Sequence, residues 1–137
     1  MDPNFFWSHL WIGQAYLEKK MYEEAIVQIQ KAIALSSGNT RAIATLGYAY
    51  GVSGKSREAQ KVLDQLKDRS KSSYVSPFFI ALVYSGLGEK DHAFEWLEKA
   101  YDEHHPYLVL IKVEPVFVSL HSDSRFADLL RRIGLNP

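Results

Sequence analysis

Apolar and small residues recur along this chain at a fixed interval of 34 residues. Four positions are each filled compatibly three times, by Ile12, Leu46 and Ile80; by Gly13, Gly47 and Ala81; by Tyr16, Tyr50 and Tyr84; and by Ala25, Ala59 and Ala93. Such a fixed period is the sequence sign of a stacked repeat, and its length is that of a helix–turn–helix unit. The pattern therefore predicts an all-α, right-handed α-solenoid of three helical hairpins.

Helical spacing within each repeat defines the two helices of a hairpin. In the segment 22–35, apolar residues at i, i+1, i+4, i+7 and i+8 form one amphipathic stripe. Polar or glycine-containing turns separate the helices, which we predict at about 4–17, 22–35, 40–52, 56–69, 75–87 and 91–103. We expect Asn39 or Thr40 to cap the third helix and Ser56 to cap the fourth. Gly13 and Ala25 are expected to face each other where the helices of the first hairpin approach closely.

The last segment, 107–137, does not continue as a fourth repeat. Pro115 interrupts an apolar stretch, and Ser122 or Asp123 then caps a final helix whose apolar stripe is formed by Phe126, Leu129, Leu130 and Ile133. An amphipathic stripe has to bury itself, and a solenoid needs a capping element on its last hairpin. We therefore expect this tail to dock on the third repeat, with further contacts from Leu108, Leu110, Ile111, Val116 and Phe117.

These patterns predict a single domain over residues 1–137. Its repeats lie at about 6–39, 40–73 and 74–106, and its capping segment lies at 107–137. Because a repeat begins almost directly after Met1, we expect the sequence to be a fragment of a longer protein.

The composition is ordinary for a folded domain and narrows the function. Hydrophobic residues are 47% and charged residues 23%, and 16 basic residues balance 16 acidic ones. Without a basic excess, a nucleic-acid partner is not expected. The chain has no cysteine and no apolar run of the roughly 18 residues that span a membrane. No secretion signal is visible, and we expect a cytoplasmic protein without membrane contacts.

Residues that resemble catalytic or ligand sites have simpler explanations. His104 and His105 are adjacent, and neighbouring helical residues point about 100 degrees apart, so the pair is a poor metal chelator. The end of the segment 51–56, Gly-Lys-Ser, resembles a phosphate loop, but it lacks the full spacing and follows a helix. Acidic pairs in turns are typical of a solvated face. We predict no catalytic residue, no metal site and no cofactor, and hence no enzyme.

The repeated residues resemble the tetratricopeptide repeat, whose pattern is W-x2-L-G-x2-Y, then A-x3-F, then P. The matching positions are His9, Ile12, Gly13, Tyr16, Ala25 and Ile29; Ile43, Leu46, Gly47, Tyr50, Ala59 and Leu63; and Pro77, Ile80, Ala81, Tyr84, Ala93 and Leu97. The resemblance covers about residues 4–106. No Trp fills the first slot, the Phe slot is aliphatic throughout, and the closing Pro is missing after the first two repeats. The shared residues are packing residues, so the resemblance implies the fold and, for function, protein binding in general.

The tail is similar to the C-terminus of repeat domains attached to bacterial winged-helix regulators, adenylate cyclases and serine/threonine kinases. The similarity lies in residues 124–135, although Ser124 stands where that group commonly has Pro. It implies a prokaryotic, regulatory setting.

The family resemblance further implies that the first helix of each hairpin lines a concave groove. The residues expected on it are Trp7, Leu10, Gln14, Leu17, Arg41, Ala44, Tyr48, Gly51, Val75, Phe78, Leu82 and Ser85. Arg41 is the only charged residue among these twelve, so the carboxylate clamp of the chaperone-binding members is not expected. Three occupants remain open: the chain's own tail or a neighbouring domain, an apolar peptide or partner helix, and a second copy of the chain.

The resulting prediction is a non-catalytic protein–protein interaction scaffold. It would bind a peptide, a partner helix or a neighbouring regulatory domain through the apolar groove. The alternatives are an accessory or regulatory domain of an enzyme, such as a kinase or cyclase, and a homo-oligomerisation module.

Overall fold

Successive helical hairpins build the whole of the described chain. The structure, a computed structural model, describes residues 3–104, 106, 108, 111–112 and 115–134, and over these it contains helices and no strand. The helices are α1 (Pro3–Glu18), α2 (Tyr22–Leu35), α3 (Thr40–Val52), α4 (Ser56–Arg69), α5 (Pro77–Leu87), α6 (Lys90–Asp102) and α7 (Ser124–Arg132), with a 3₁₀ helix at Pro115–Leu120. The predicted all-α solenoid of three hairpins with a helical cap is confirmed.

One helix start and one helix cap differ from the sequence prediction. Helix α5 begins at Pro77 and not at residue 75, because the residue before a proline is driven out of the helical conformation. Ser76 is extended there, and its hydroxyl accepts a hydrogen bond from the Phe78 amide at 3.1 Å. Ser56 does not cap α4; Lys55 stands at the cap position and makes no side-chain capping bond.

The cap of α3 agrees with one of the two expected residues. The side chain of Asn39 accepts a hydrogen bond from the Ala42 amide at 3.2 Å, which satisfies one of the free amides at the helix start.

Small residues hold the two helices of each hairpin close together. Ala25, Ala59 and Ala93 are fully buried, as their spacing predicts. A Cβ added to Gly13 would lie 2.7 Å from Cγ1 of Ile29 on α2, closer than a carbon can approach. The repeated glycine and alanine slots therefore serve packing inside the hairpin.

A second close approach joins the first helices of neighbouring hairpins. A Cβ on Gly51 of α3 would lie 2.6 Å from the carbonyl carbon of Gly86 on α5. A Cβ on Gly86 would in turn lie 2.7 Å from the backbone oxygen of Tyr48. The backbones of α3 and α5 thus touch, which no larger residue at these two positions would allow.

The tail keeps part of the repeat register. Helices α2, α4, α6 and α7 begin at residues 22, 56, 90 and 124, which continues the 34-residue interval into the tail. Two arginines of α7 bind acidic residues of α6 one period earlier: Arg125 binds Asp91 at 2.7 Å and Arg132 binds Glu98. Helix α7 therefore lies beside α6 as the second helix of a further hairpin would, a register that the sequence analysis missed.

Apolar and cation–π contacts complete the cap. The arginine groups lie over aromatic rings of α6, Arg125 at 4.5 Å from the centre of Phe94 and Arg132 at 5.0 Å from that of Tyr101. The buried tail residues are Leu108, Ile111, Phe117, Leu120, Phe126, Leu129 and Leu130, and Ile133 is partly buried. Of the other expected tail contacts, Leu110 and the side chain of Val116 lie outside the described residues.

The backbone contact between α3 and α5 makes Gly51→Ala costly. Alanine normally stabilises a helix interior over glycine by about 0.5–1 kcal/mol, but here the added methyl meets backbone atoms that cannot rotate away. We expect a net destabilisation of about 1–3 kcal/mol, measured by urea unfolding. Gly13→Ala is the matched comparison, since its methyl meets chiefly the Ile29 side chain. Equal or higher stability of Gly51→Ala would show that the two backbones do not touch.

The cap of α7 should weaken in acid. Hydrogen bonds from the Arg125 side chain and amide lower the pKa of Asp123 from 3.8 to about 2, and a hydrogen bond from Arg132 lowers the pKa of Glu98. Both carboxylates are less basic in the folded state, so their stabilisation is present above pH ~4 and is lost as the pH falls through the folded values.

A double variant tests this, with Glu98→Gln and Asp123→Asn, because asparagine keeps the capping ability of aspartate and does not titrate. We expect the wild type to be more stable than this variant at pH 6, with the difference disappearing near pH 2. A difference in thermal midpoint that is independent of pH would contradict the assignment.

Candidate binding surface

The third repeat offers no open groove in this structure. Its four expected groove residues, Val75, Phe78, Leu82 and Ser85, are all buried. Val75 also lies before α5 and not on it, since the helix begins at Pro77. A partner therefore cannot contact these residues while the tail is docked.

The chain's own tail closes this part of the groove. The 3₁₀ helix packs on α5, and the ring of Phe117 meets that of Phe78 edge-on, with centres 5.3 Å apart and planes at 76°. Leu120, one turn further along the 3₁₀ helix, is buried in the same core as α5 and α6. Of the three occupants that the sequence left open, the tail is the one present over the third repeat.

Leu10 and Ala44 occupy one position in successive repeats, and the structure buries both completely. Leu10 belongs to a core cluster that also contains Ile29 of α2 and Ala42 of α3. This position therefore faces the neighbouring helices, so fewer residues of α1 line the groove than the repeat register predicted. Gly51 is likewise turned against Gly86 of α5.

Besides Gly51, five of the expected groove residues keep accessible surface, and all belong to the first two hairpins. We call them the open groove: Trp7, Gln14, Leu17, Arg41 and Tyr48. Trp7 is 41% exposed, and its ring stacks on that of Trp11 with centres 6.3 Å apart. The open groove thus offers aromatic and aliphatic surface with one cationic side chain.

The environment of Tyr48 sets its chemistry. Burial, and secondly the neighbouring Tyr22 hydroxyl, raise the pKa of Tyr48 above its usual 10. The hydroxyl therefore stays protonated at neutral pH and is able to donate a hydrogen bond. A half-buried tyrosine that combines a ring face with a hydroxyl is typical of side chains that anchor protein partners.

A metal-binding grouping is not seen in the described part of the chain. No three histidine or acidic residues there lie close enough together to hold a metal ion. His9 forms a hydrogen bond of 2.7 Å with Gln28, and His92 stacks on Tyr84. His105, the partner of His104 in the sequence, lies outside the described residues. Among the described helices, none is long and apolar enough to cross a membrane.

A cluster of cationic and aromatic side chains lies across α4, α5 and α6, and the sequence analysis did not find it. The Lys67 ammonium group donates a hydrogen bond of 2.9 Å to the Tyr84 hydroxyl and lies 5.8 Å from the Trp96 ring, while Lys99 lies 3.8 Å from that ring on the same helix. The i, i+3 spacing of Trp96 and Lys99 was visible in the sequence. Lys67 lies on another helix, so its contribution depends on helix packing and was not visible in the sequence.

Comparison with known proteins agrees with the fold. The family model of the tetratricopeptide repeat matches residues 8–39 and 78–102, which lie in the first and third hairpins. The chain is also 30% identical over 95 residues to Superkiller protein 3 of Schizosaccharomyces pombe (strain 972 / ATCC 24843). That match covers 69% of this chain and 7% of the relative, so the chain spans a small part of that protein. No solved structure matches the chain.

The stacked hairpins form an all-helical repeat domain, and its first and third hairpins match the tetratricopeptide repeat. Repeats of this kind generally mediate protein–protein interaction. The similarity of the tail to bacterial regulators, cyclases and kinases is tested by neither match and stays a prediction.

The tail should contribute strongly to stability through Phe117. Its side chain is fully buried against Phe78, so Phe117→Ala should lower the free energy of unfolding by about 3–5 kcal/mol. Val118→Ala is the matched control, because this neighbouring side chain is 60% exposed and its loss should change stability by less than about 0.5 kcal/mol. Urea unfolding of both variants gives the comparison. Equal stability of the two would mean that the tail is not docked on α5.

Proposed function

We propose that this domain is a non-catalytic protein–protein interaction scaffold that binds an apolar peptide or partner helix at the open groove. The observation that carries the proposal is the accessible aromatic and aliphatic surface of Trp7, Leu17 and Tyr48 on the first helices of the first two hairpins. The general role of tetratricopeptide repeats in protein interaction supports it.

The chemistry of the groove favours an apolar ligand with few charges. Aromatic side chains bury a large area at a small entropic cost and dominate many interfaces. Arg41 is the single charged member of the open groove, so affinity should come from desolvated apolar contacts and depend weakly on salt.

The docked tail limits the length of the site. Phe117 occupies the surface of Phe78, and Leu82 and Ser85 are buried on the same helix. A ligand in the open groove would therefore lie along α1 and α3 and end where the 3₁₀ helix begins to cover α5. This favours a short peptide segment or one helix over a long extended chain.

The wider setting of the domain stays a prediction. A role as accessory domain of a kinase or cyclase, a cytoplasmic location and self-association are each compatible with a scaffold of this kind. Identification of the domains that accompany this one in the full-length protein is the cheapest observation that separates these settings.

Selection of short random peptides displayed on phage tests the groove. We expect the peptides selected by the intact domain to be rich in apolar and aromatic residues. Their affinity should fall at least about tenfold, equivalent to about 1.4 kcal/mol, for Tyr48→Ala. It should change little between low and high salt.

Val27→Ala is the matched control, because Val27 is an exposed apolar residue on α2, outside the open groove. Its binding of the selected peptides should equal that of the wild type. If the peptides are mainly charged, lose affinity steeply with salt, or bind Tyr48→Ala as well as wild type, the domain has another binding surface and the groove proposal is wrong.

A further inference from the structure

Helix α1 carries an apolar face that the later hairpins bury at the equivalent positions. The three residues of this face, Trp11, Ile12 and Ala15, are spaced i, i+1 and i+4, and all are exposed. Trp11 is 57% exposed and Ile12 is 44% exposed, although Ile12 fills a slot of the repeat that is expected to be packed. We call these three residues the leading face of α1.

The 34-residue repeat shows what such a face normally contacts. One period later, Thr45 and Ala49 on α3 are fully buried and Leu46 is partly buried against the first hairpin. Two periods later, on α5, the equivalent residues are Phe79, Ile80 and Val83, and all are buried. The same face of each first helix therefore packs on the hairpin that stands before it.

The contact on α5 defines the surface of that preceding hairpin. A Cβ on Gly47 of α3 would lie 2.8 Å from Cγ1 of Val62 on α4 and 2.9 Å from Cγ2 of Val83. Val83 thus packs between the two helices of the second hairpin, against Gly47, the small residue of α3. The leading face of α1 resembles that of α5 in chemistry, with Trp11 for Phe79, the same isoleucine at 12 and 80, and Ala15 for Val83.

We infer that the leading face of α1 receives a further helix–turn–helix hairpin of this same repeat type, stacked one period before α1 and α2. The partner surface is the aliphatic seam between two helices, of the kind formed by Gly47 and Val62. The inference continues an interface that the chain itself uses twice, and it does not depend on a ligand in the open groove.

One difference sets the geometry of this docking. Glu18 stands at the position that Gly86 occupies on α5, so the backbone contact seen between α3 and α5 is not available to α1. The interface between the first and second hairpins lacks that contact as well, since Val52 is the equivalent residue on α3. The added hairpin should therefore meet α1 at that seam mainly with its second helix, as α2 meets α3, and without a backbone contact between first helices.

A fusion protein supplies the hairpin at the correct spacing. A second copy of residues 40–73 is joined directly before Phe6 of the chain, which leaves between helices the same four-residue loop that 36–39 forms. Covalent attachment is needed because a hairpin this short is not stable by itself, and the linkage raises its effective concentration. Replacing Trp7 and Trp96 by phenylalanine leaves Trp11 as the single fluorescent tryptophan.

Stacking should move Trp11 from 57% exposure towards the 9% of Phe79. We expect a blue shift of its emission, a several-fold fall in its quenching by acrylamide, and one cooperative unfolding transition at a higher midpoint than that of the unfused chain. Ile12→Lys in the same fusion is the matched control; it should abolish these changes while leaving the unfused chain, where Ile12 is exposed, close to its original stability.

Two results would overturn the inference. In the first, Trp11 stays as accessible to acrylamide as in the unfused chain and the added helices remain unfolded. This result must hold both for this fusion and for a second one built from residues 6–39 in which both copied tryptophans are replaced by phenylalanine. In the second, the unfused chain forms a dimer that buries Trp11, which would assign the leading face to a second copy of the chain.

Discussion

The structure depends on the packing of each hairpin against its neighbour. A single helix pair buries too little apolar surface to be stable, so each hairpin relies on the face that the next one covers. The small residues that recur every 34 positions make this possible: Gly13 and Ala25 let two helices close into a hairpin, and Gly51 and Gly86 let two hairpins meet at their backbones. The apolar side chains between these points then fill a continuous core.

The two ends of the stack differ in whether their apolar face is covered. At the C-terminal end, α7 takes the place of a further second helix, and the arginine pairs to Asp91 and Glu98 repeat at the spacing of the hairpins themselves. Among the described residues before α7, the 3₁₀ helix covers α5, and its Phe117 packs against Phe78. At the N-terminal end no described residue covers Trp11. A face that is buried on the later first helices is therefore exposed to solvent there.

The helices and their pairing could be predicted from the sequence because both follow from local spacing. The buried alanines at 25, 59 and 93 and five of the six predicted repeat-helix starts, to within a residue, depend only on periodicity and turn chemistry. The exception is α5, whose start is also set by local residues, because Ser76 caps the helix and Pro77 occupies its first position.

The groove could be predicted only in part, because its open surface depends on how hairpins rotate against each other. Leu10 and Phe78 have the helical position expected of groove residues, yet the rotation of the stack and the tail bury them. The contact of Gly51 with Gly86 is not visible from either residue alone, since both also suit a turn or a kink. The register of α7 was missed because Pro115 breaks the apolar pattern before it, so that the sequence predicted no first helix for a further hairpin.

The cost of undocking argues against a tail that a groove ligand displaces. Undocking it would expose Phe117, Leu120 and the stripe of α7, and each large side chain returned to water costs about 1.5–3 kcal/mol. A micromolar ligand gains about 8 kcal/mol in total, so most of that gain would be consumed before any net binding appeared. A ligand that lies beside the tail on α1 and α3 avoids this cost. For the function we propose, this cost favours a ligand in the open groove of the first two hairpins, bounded at one end by the docked tail.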